Sequence, residues 1–313
     1  MPGGPVEMAI ASFRSGGGGG EVGSGKIAVV TEEQREMLKA YYGFDKPIWK
    51  RYFLWVKKLV RLDFGESYFS NEPVNRLIQR ALPVSLSLGF FSLLLTYLIS
   101  IPLGILKAVR NETVLDTTSS AILFFLYSIP PFALAVILII LFCGGSFWNL
   151  FPIEGMVSDN FKDLTLWEKI KDYLLHLVLP LTCATVGSFA VLSLLMKNAL
   201  LDELGKDYVT AARAKGLPER TVVLKHALHN ALLPLAHNVG GWLPVFFSGS
   251  LLLETIFNLQ GVGRLSYDAI LHRDYPIVLT NIVILSVLSV FGNLISDILY
   301  VFVDPRLDFE ATT

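Results

Sequence analysis

Five stretches of this 313-residue chain are almost free of formal charge, and that distribution constrains the fold more than any other feature. They are residues 84–106, 117–143, 174–196, 235–253 and 277–303, and between them they hold one formal charge, Asp297. A single Asp, Lys or Arg at the centre of a bilayer costs about 2.5–3.5 kcal/mol on insertion scales, so segregation this complete is what a hydrocarbon environment selects. As helices rising ~1.5 Å per residue the windows are roughly 28–40 Å long, against a hydrocarbon core of ~30 Å, and each is long enough to cross. Only 17% of the residues are charged, whereas a soluble domain carries roughly 25%. The expected fold class is an all-α polytopic membrane protein with about five spans.

A net charge of −1 offers no basic patch for a nucleic acid. Cys143 and Cys183 both lie inside apolar windows, where they read as small buried hydrophobes rather than a disulfide or metal framework. No metal or cofactor is called for, and His176 and His237 lack companions at ligand spacing.

Residues 1–83 form a mostly polar leader with a helix-like region from Thr31 to Tyr42. A second candidate helix runs from about Pro47 to Leu62. Its Trp49, Phe53, Trp55, Val56, Leu59 and Val60 lie largely opposite Lys50, Lys57 and Lys58, a pattern suited to the membrane interface. Short-loop charges set the topology. Lys107 and Arg110 place the first loop inside. The loop 146–172, with three lysines against five carboxylates, belongs outside; segment 197–234, with six cations against four carboxylates, belongs inside. Residues 304–313 are then a cytoplasmic tail and the leader is extracytoplasmic. The leader has no apolar segment to carry it across, so a further N-terminal span is expected to be missing ahead of Met1.

Gly20-Glu21-Val22-Gly23-Ser24-Gly25-Lys26 has the spacing of a phosphate-binding loop, but Ile27 stands where a Ser or Thr hydroxyl would ligate Mg²⁺ and no strand precedes it. A flexible glycine loop explains it better. If this protein pumps, the energy enters elsewhere.

The informative cytoplasmic stretch runs Asp207-Tyr208-Val209-Thr210-Ala211-Ala212-Arg213-Ala214-Lys215-Gly216-Leu217-Pro218 and on to Pro234. Helix-favouring residues run through Lys215, Gly216 suits a left-handed cap, and Pro218 suits the first turn of a second helix carrying Val222, Val223, Ala227 and Leu228. Ala211 and Ala212 would let another protein's backbone approach closely, with Arg213 and Lys215 at the rim. The ordinary alternative is a loop between two spans.

This segment resembles the EAA loop of ABC-type importer permeases. Thr210-Ala211-Ala212 followed by Gly216 keeps the Glu-Ala-Ala-x-x-x-Gly spacing. Thr210 in place of glutamate, and Pro234 at its longer distance from Gly216, resemble the oligopeptide/dipeptide group. So do Asp63-Phe64-Gly65-Glu66-Ser67, Leu82-Pro83, Ile256-Phe257-Asn258, Gly261-Val262-Gly263-Arg264-Leu265, Arg273-Asp274-Tyr275-Pro276 and Asp304-Pro305-Arg306-Leu307. Gly144-Gly145-Ser146-Phe147, Val157-Ser158-Asp159-Asn160 and Asp308-Phe309-Glu310 look most like the B-type permease of microcin C-type peptide importers.

The resemblance implies an ABC type I importer transmembrane fold and a peptide permease subunit of the bacterial cytoplasmic (inner) membrane. It implies a second permease subunit as heterodimer partner, ATP-binding cassette ATPase subunits and an extracytoplasmic peptide-binding protein. No catalytic residue is implied. Residues 207–217 would transmit the ATPase movement to the spans.

Within the spans, Pro130, Pro131, Pro180 and Pro244 are expected to bend their helices. Tyr127, Ser128, Asn281 and Asn293 are candidates for lining a passage, with interhelical hydrogen bonding the preferred alternative. Asp297 should face protein or water. The rival transport reading is an ion-coupled secondary transporter, which would show internal repeats and paired intramembrane ionisable groups. An intramembrane enzyme is weaker still, with no nucleophile and base constellation or H-E-x-x-H motif in the spans.

Overall fold

The structure is a computed structural model. It describes Glu33, Glu36, Met37 and residues 45–143, 147–237 and 239–303. The Thr31–Tyr42 helix, the Gly20–Lys26 loop, Gly144–Ser146 and the 304–313 tail lie outside the described residues or largely so.

The chain divides into two compact units, one of Met1–Arg80 with Ser266–Ile282, the other of Ala81–Leu265 with Val283–Thr313. The described part of the leader therefore groups with residues 266–282 instead of standing by itself.

Among the described residues three helices are long and apolar enough to cross a membrane: α2 (Val74–Val109), α5 (Leu166–Leu204) and, in its Tyr275–Ile298 part, α13 (Tyr275–Val303). The amphipathic α1 (Ile48–Val60) precedes them. α2 and α5 outrun the bilayer, with 36 and 39 residues. The excess turns of α5 are polar and locally specified. Its start is a capping contact, the Thr165 backbone N–H donating to the Glu168 carboxylate at 2.9 Å.

The second window is two helices joined at a sharp bend, not one straight helix. α3 (Val114–Tyr127) and α4 (Pro131–Phe142) meet at 93°. Pro131 opens α4 from its first turn, where its missing N–H is no loss, and Pro130 caps it in an extended conformation. Pro83, Pro102 and Pro180, in contrast, are absorbed within continuous helices.

The fourth window departs from the expectation of one crossing helix. Residues 235–253 are spread over α9 (Leu233–His237), a 3₁₀ turn at Val239–Gly241, α10 (Trp242–Ser248) and α11 (Leu251–Ile256). Two glycines and Pro244 interrupt the ladder, and the break between α10 and α11 falls at Gly249. Hydropathy alone carries no signal for such a break. The turn is held from outside its own ladder, since the Gly240 N–H donates to Ser296 Oγ of α13 at 2.9 Å.

In the second unit two apolar cores organise the packing. One gathers Leu88, Ala135, Cys143, Leu177, Cys183 and Phe257, with both cysteines buried free thiols. The other gathers Met196, Leu200, Val209, Ala212, Val223 and Leu235. The second core seats residues 203–231.

Candidate functional site

The stretch 203–231 is built as a handle. α5 ends at Leu204 and the chain turns at Gly205 into α6 (Asp207–Ala214). Asp207 sits in its first turn and Arg213 in its last, the arrangement the helix dipole favours. Gly216 then takes φ +77°, a left-handed conformation that a branched side chain resists, and its N–H reaches Arg213 O. α7 (Glu219–Thr221) follows Pro218 and runs through a π-helical stretch, Val222–Ala227, into α8 (Leu228–Ala231). Val222, Val223 and Ala227 are buried in the core, and Leu228 is partly buried against it.

Polar contacts hold α6 at both ends. At its start the largely buried Glu203 carboxylate accepts from Lys206 Nζ at 2.6 Å and from Tyr208 Oη at 2.5 Å, while Asn230 Nδ2 donates to that Tyr208 oxygen at 3.1 Å. Burial and the bond to Glu203 push the Tyr208 hydroxyl up, so it stays a donor; the same carboxylate raises Lys206. At its end Arg213 forks onto Glu219, at 2.7 and 3.1 Å, and Arg213 holds that carboxyl below its ordinary range.

The helix is seated by Val209 and Ala212, both buried in the chain's own core. This corrects the expectation that both alanines face a partner. Ala212 is spent on the chain's own packing, and the outward face includes Asp207, Tyr208, Thr210, Ala211, Ala214 and Lys215. Leu217 is exposed beyond the cap. Pro234 lies in α9, outside the helix.

Tyr127 and Ser128 adjoin at the 93° bend; Tyr127 is exposed with its ring beside Gly187 of α5, and Ser128 Oγ folds back onto Phe124 O at 2.8 Å. Asn281 is buried and donates to Ser266 Oγ at 2.6 Å, with its Oδ1 left unpartnered. Asn293 and Asp297 are exposed on the isolated chain. His176 is buried with Nδ1 2.8 Å from Asp172 O; His237 is in α9, its side chain outside the described residues.

Two buried charge sites escaped sequence reasoning. Glu254 of α11 is fully buried, one residue past the fourth window. Its Oε1 accepts from Ser85 Oγ at 2.9 Å and from the Ser250 N–H at 3.2 Å, and its Oε2 from the Arg264 N–H at 2.8 Å. Ser85 Oγ in turn accepts from the Val262 N–H at 2.8 Å. Glu254 thus satisfies the N-terminal donors of α12 (Val262–Leu271). Gly249 and Gly261 approach the carboxylate so closely that a Cβ on either would strike it, and a Cβ on Gly263 would press on it and on the Leu251 backbone. The signal available was an acid at a window's edge with Gly-x-Gly seven residues on.

The second site joins Asp116 to Lys197 Nζ at 2.7 Å, with buried Lys107 in electrostatic range of the same carboxylate. Lys107 is therefore a packed ion at the end of α2 as well as a topology signal.

With this geometry in place, comparison with known proteins is informative. Residues 100–309 match the family model described as "Binding-protein-dependent transport system inner membrane component". The chain is 44% identical to the inner membrane ABC transporter permease protein YejB of Escherichia coli O157:H7, over 99% of this chain and 92% of that protein. It is 37% identical to the oligopeptide transport system permease protein AppB of Bacillus subtilis (strain 168), over 90% of this chain and 87% of that one. Among solved structures, a chain from the inward-facing MetNI methionine ABC transporter superposes with a TM-score of 0.54 at 22% identity, covering 73% of this chain and 96% of that chain. That last likeness concerns the fold alone.

Proposed function

We propose, from the premise that this chain belongs to the binding-protein-dependent transport system inner membrane component family, that it is a permease subunit of an ATP-driven importer that moves peptides across the bacterial cytoplasmic membrane. In this reading a related second permease subunit completes the translocation path, and two ATP-binding cassette subunits hydrolyse ATP on the cytoplasmic side. An extracytoplasmic binding protein delivers the peptide. This chain serves as the transport subunit, and ATP hydrolysis in this reading belongs to the ATP-binding cassette partners.

One observation carries the proposal. α6 is pinned to its own chain at both ends by Glu203 and by Arg213–Glu219, yet presents an outer face of small and polar residues. A helix so seated moves as a body when pushed, and its push reaches α5 through Glu203 and the shared core. A partner's grip on Thr210, Ala211, Ala214 and Lys215 therefore becomes a displacement of a spanning helix. ATP must bind one state of the ATPase more tightly than the other, and that difference in affinity is what α6 passes on.

The test is Ala211→Trp. Because Ala211 faces outward, the bulky ring leaves folding and membrane insertion unchanged, and peptide uptake is expected to be lost while ATPase subunits bind weakly or not at all. Normal ATP-dependent uptake by this variant would remove α6 from the coupling role. Energising vesicles with ATP or with an ion gradient separates this reading from an ion-coupled transporter.

A further inference from the structure

We propose that α1 (Ile48–Val60) is a membrane-surface anchor that lies on the bilayer and holds anionic phospholipid headgroups, on the outer face if the permease topology above is right. Its apolar side carries Ile48, Trp49, Tyr52, Phe53 and Val60, exposed by 80, 63, 59, 66 and 79%, and no residue of the helix is buried. Leaving two aromatic rings and a tryptophan in water has no structural return. The other side carries Lys50, Lys57 and Lys58, with Arg61 just beyond, and no acid occurs anywhere from Ile48 to Leu62.

That combination decides the occupant. An apolar face bearing Trp and Tyr, bordered by ammonium groups, matches the boundary between acyl chains and phosphates, where aromatic rings sit at headgroup level and lysines reach the phosphates. A protein partner would have to bring acidic residues against an unbroken run of cations.

The position of α1 supports the same occupant. The Asp63 N–H donates back to Lys58 O, the Val74 N–H donates to Gly65 O, and Asn75 Nδ2 donates to Leu62 O, each at 3.0 Å. The end of α1 is thereby fixed to the first turn of α2, two to three turns ahead of the charge-free stretch that opens at Val84. The same loop is tied to the approach to α13. The buried Asp274 carboxylate accepts from Ser67 Oγ at 2.5 Å and from the Tyr68 N–H at 3.1 Å, one residue before α13 begins at Tyr275. The loop that follows α1 is thus tied to the residues that lead into two apolar helices.

Spin labels on the assembled transporter in nanodiscs test this, with Phe53→Cys and Lys50→Cys each placed in a background lacking Cys143 and Cys183. In phosphatidylglycerol discs the label at 53 is expected to collide with oxygen more than with a water-soluble nickel chelate, and the label at 50 to show the reverse. Removing Lys57 and Lys58 as glutamines should shift the label at 53 toward nickel, each lysine contributing about fivefold in affinity for the anionic surface. Discs of phosphatidylcholine should show no such shift. Brominated-lipid quenching that falls in Trp49→Phe relative to the parent provides an unlabelled check, the remaining tryptophans setting the background. Nickel access at 53 in the parent would overturn the proposal, as would a label shielded from both reagents by a protein neighbour. Uptake measured on the same discs keeps the outcomes apart, because failed transport counts against the permease reading and leaves the immersion result standing.

Discussion

Two carboxylates organise this molecule, and they do so in opposite surroundings. Glu254 is sealed from solvent, accepts from one serine and two backbone N–H groups, and is ringed by glycines. Glu203 sits at the end of α5 with Lys206 half exposed beside it and Tyr208 partly so. The chemistry is the same, an acceptor gathering donors that the chain cannot otherwise satisfy. What differs is the alternative each donor has. Around Glu254 an abandoned donor has nowhere to go, so the contact holds the fold; around Glu203 water can take over, so the contact sets the stiffness of a helix whose outer face is free to be used.

Breaking the buried hub should have the largest consequence. Glu254→Ala leaves several buried donors without an acceptor, at about 1–3 kcal/mol each, and little folded protein should be recovered from membranes by size-exclusion chromatography. Glu203→Ala should retain nearly normal yield. Equal losses in the two variants would erase the distinction. Asp116→Ala should fall next, because it strands Lys197 and Lys107 in a buried site at a cost of about 3–5 kcal/mol, read as a lowered unfolding temperature.

α6 should respond in function before stability. Gly216→Val forces a branched residue into φ +77°, a cost of about 1–2 kcal/mol confined to the end of α6, so uptake should drop while the protein still inserts. Smallest is the Arg213–Glu219 fork, which is solvent-exposed; Arg213→Ala should change stability by no more than about 1 kcal/mol. Because Arg213 holds Glu219 below its ordinary 4.5, the folded form binds the proton less readily than the unfolded one. The fork is therefore intact above that pH and is lost as acid carries the carboxyl through its lower folded value. Uptake that weakened between pH 5 and 8 in wild type but not in Arg213→Ala would contradict this assignment.

Much of this architecture is legible in the residues because lipid imposes a rule that each residue obeys separately. The windows that became α2, α5 and α13 are readable from missing charges, and the 93° bend was announced by Pro130-Pro131. The cap at Gly216 was also readable, since a helix end is a local signal. The break at Gly249 and the hub at Glu254 were not. The hub rests on Ser85, 169 residues from Glu254 in sequence, and hydropathy cannot report such a contact. Ala212 was misjudged for a related reason: a small residue serves a tight core and a close docking contact alike, and only the direction of its side chain separates them.

The most direct test of the central claim labels Ala211→Cys, in a chain lacking Cys143 and Cys183, with a membrane-impermeant maleimide in oriented vesicles. The account predicts modification only from the cytoplasmic side, and protection once the ATPase subunits are bound. Modification from the exterior, or undiminished labelling in the complete transporter, would contradict it.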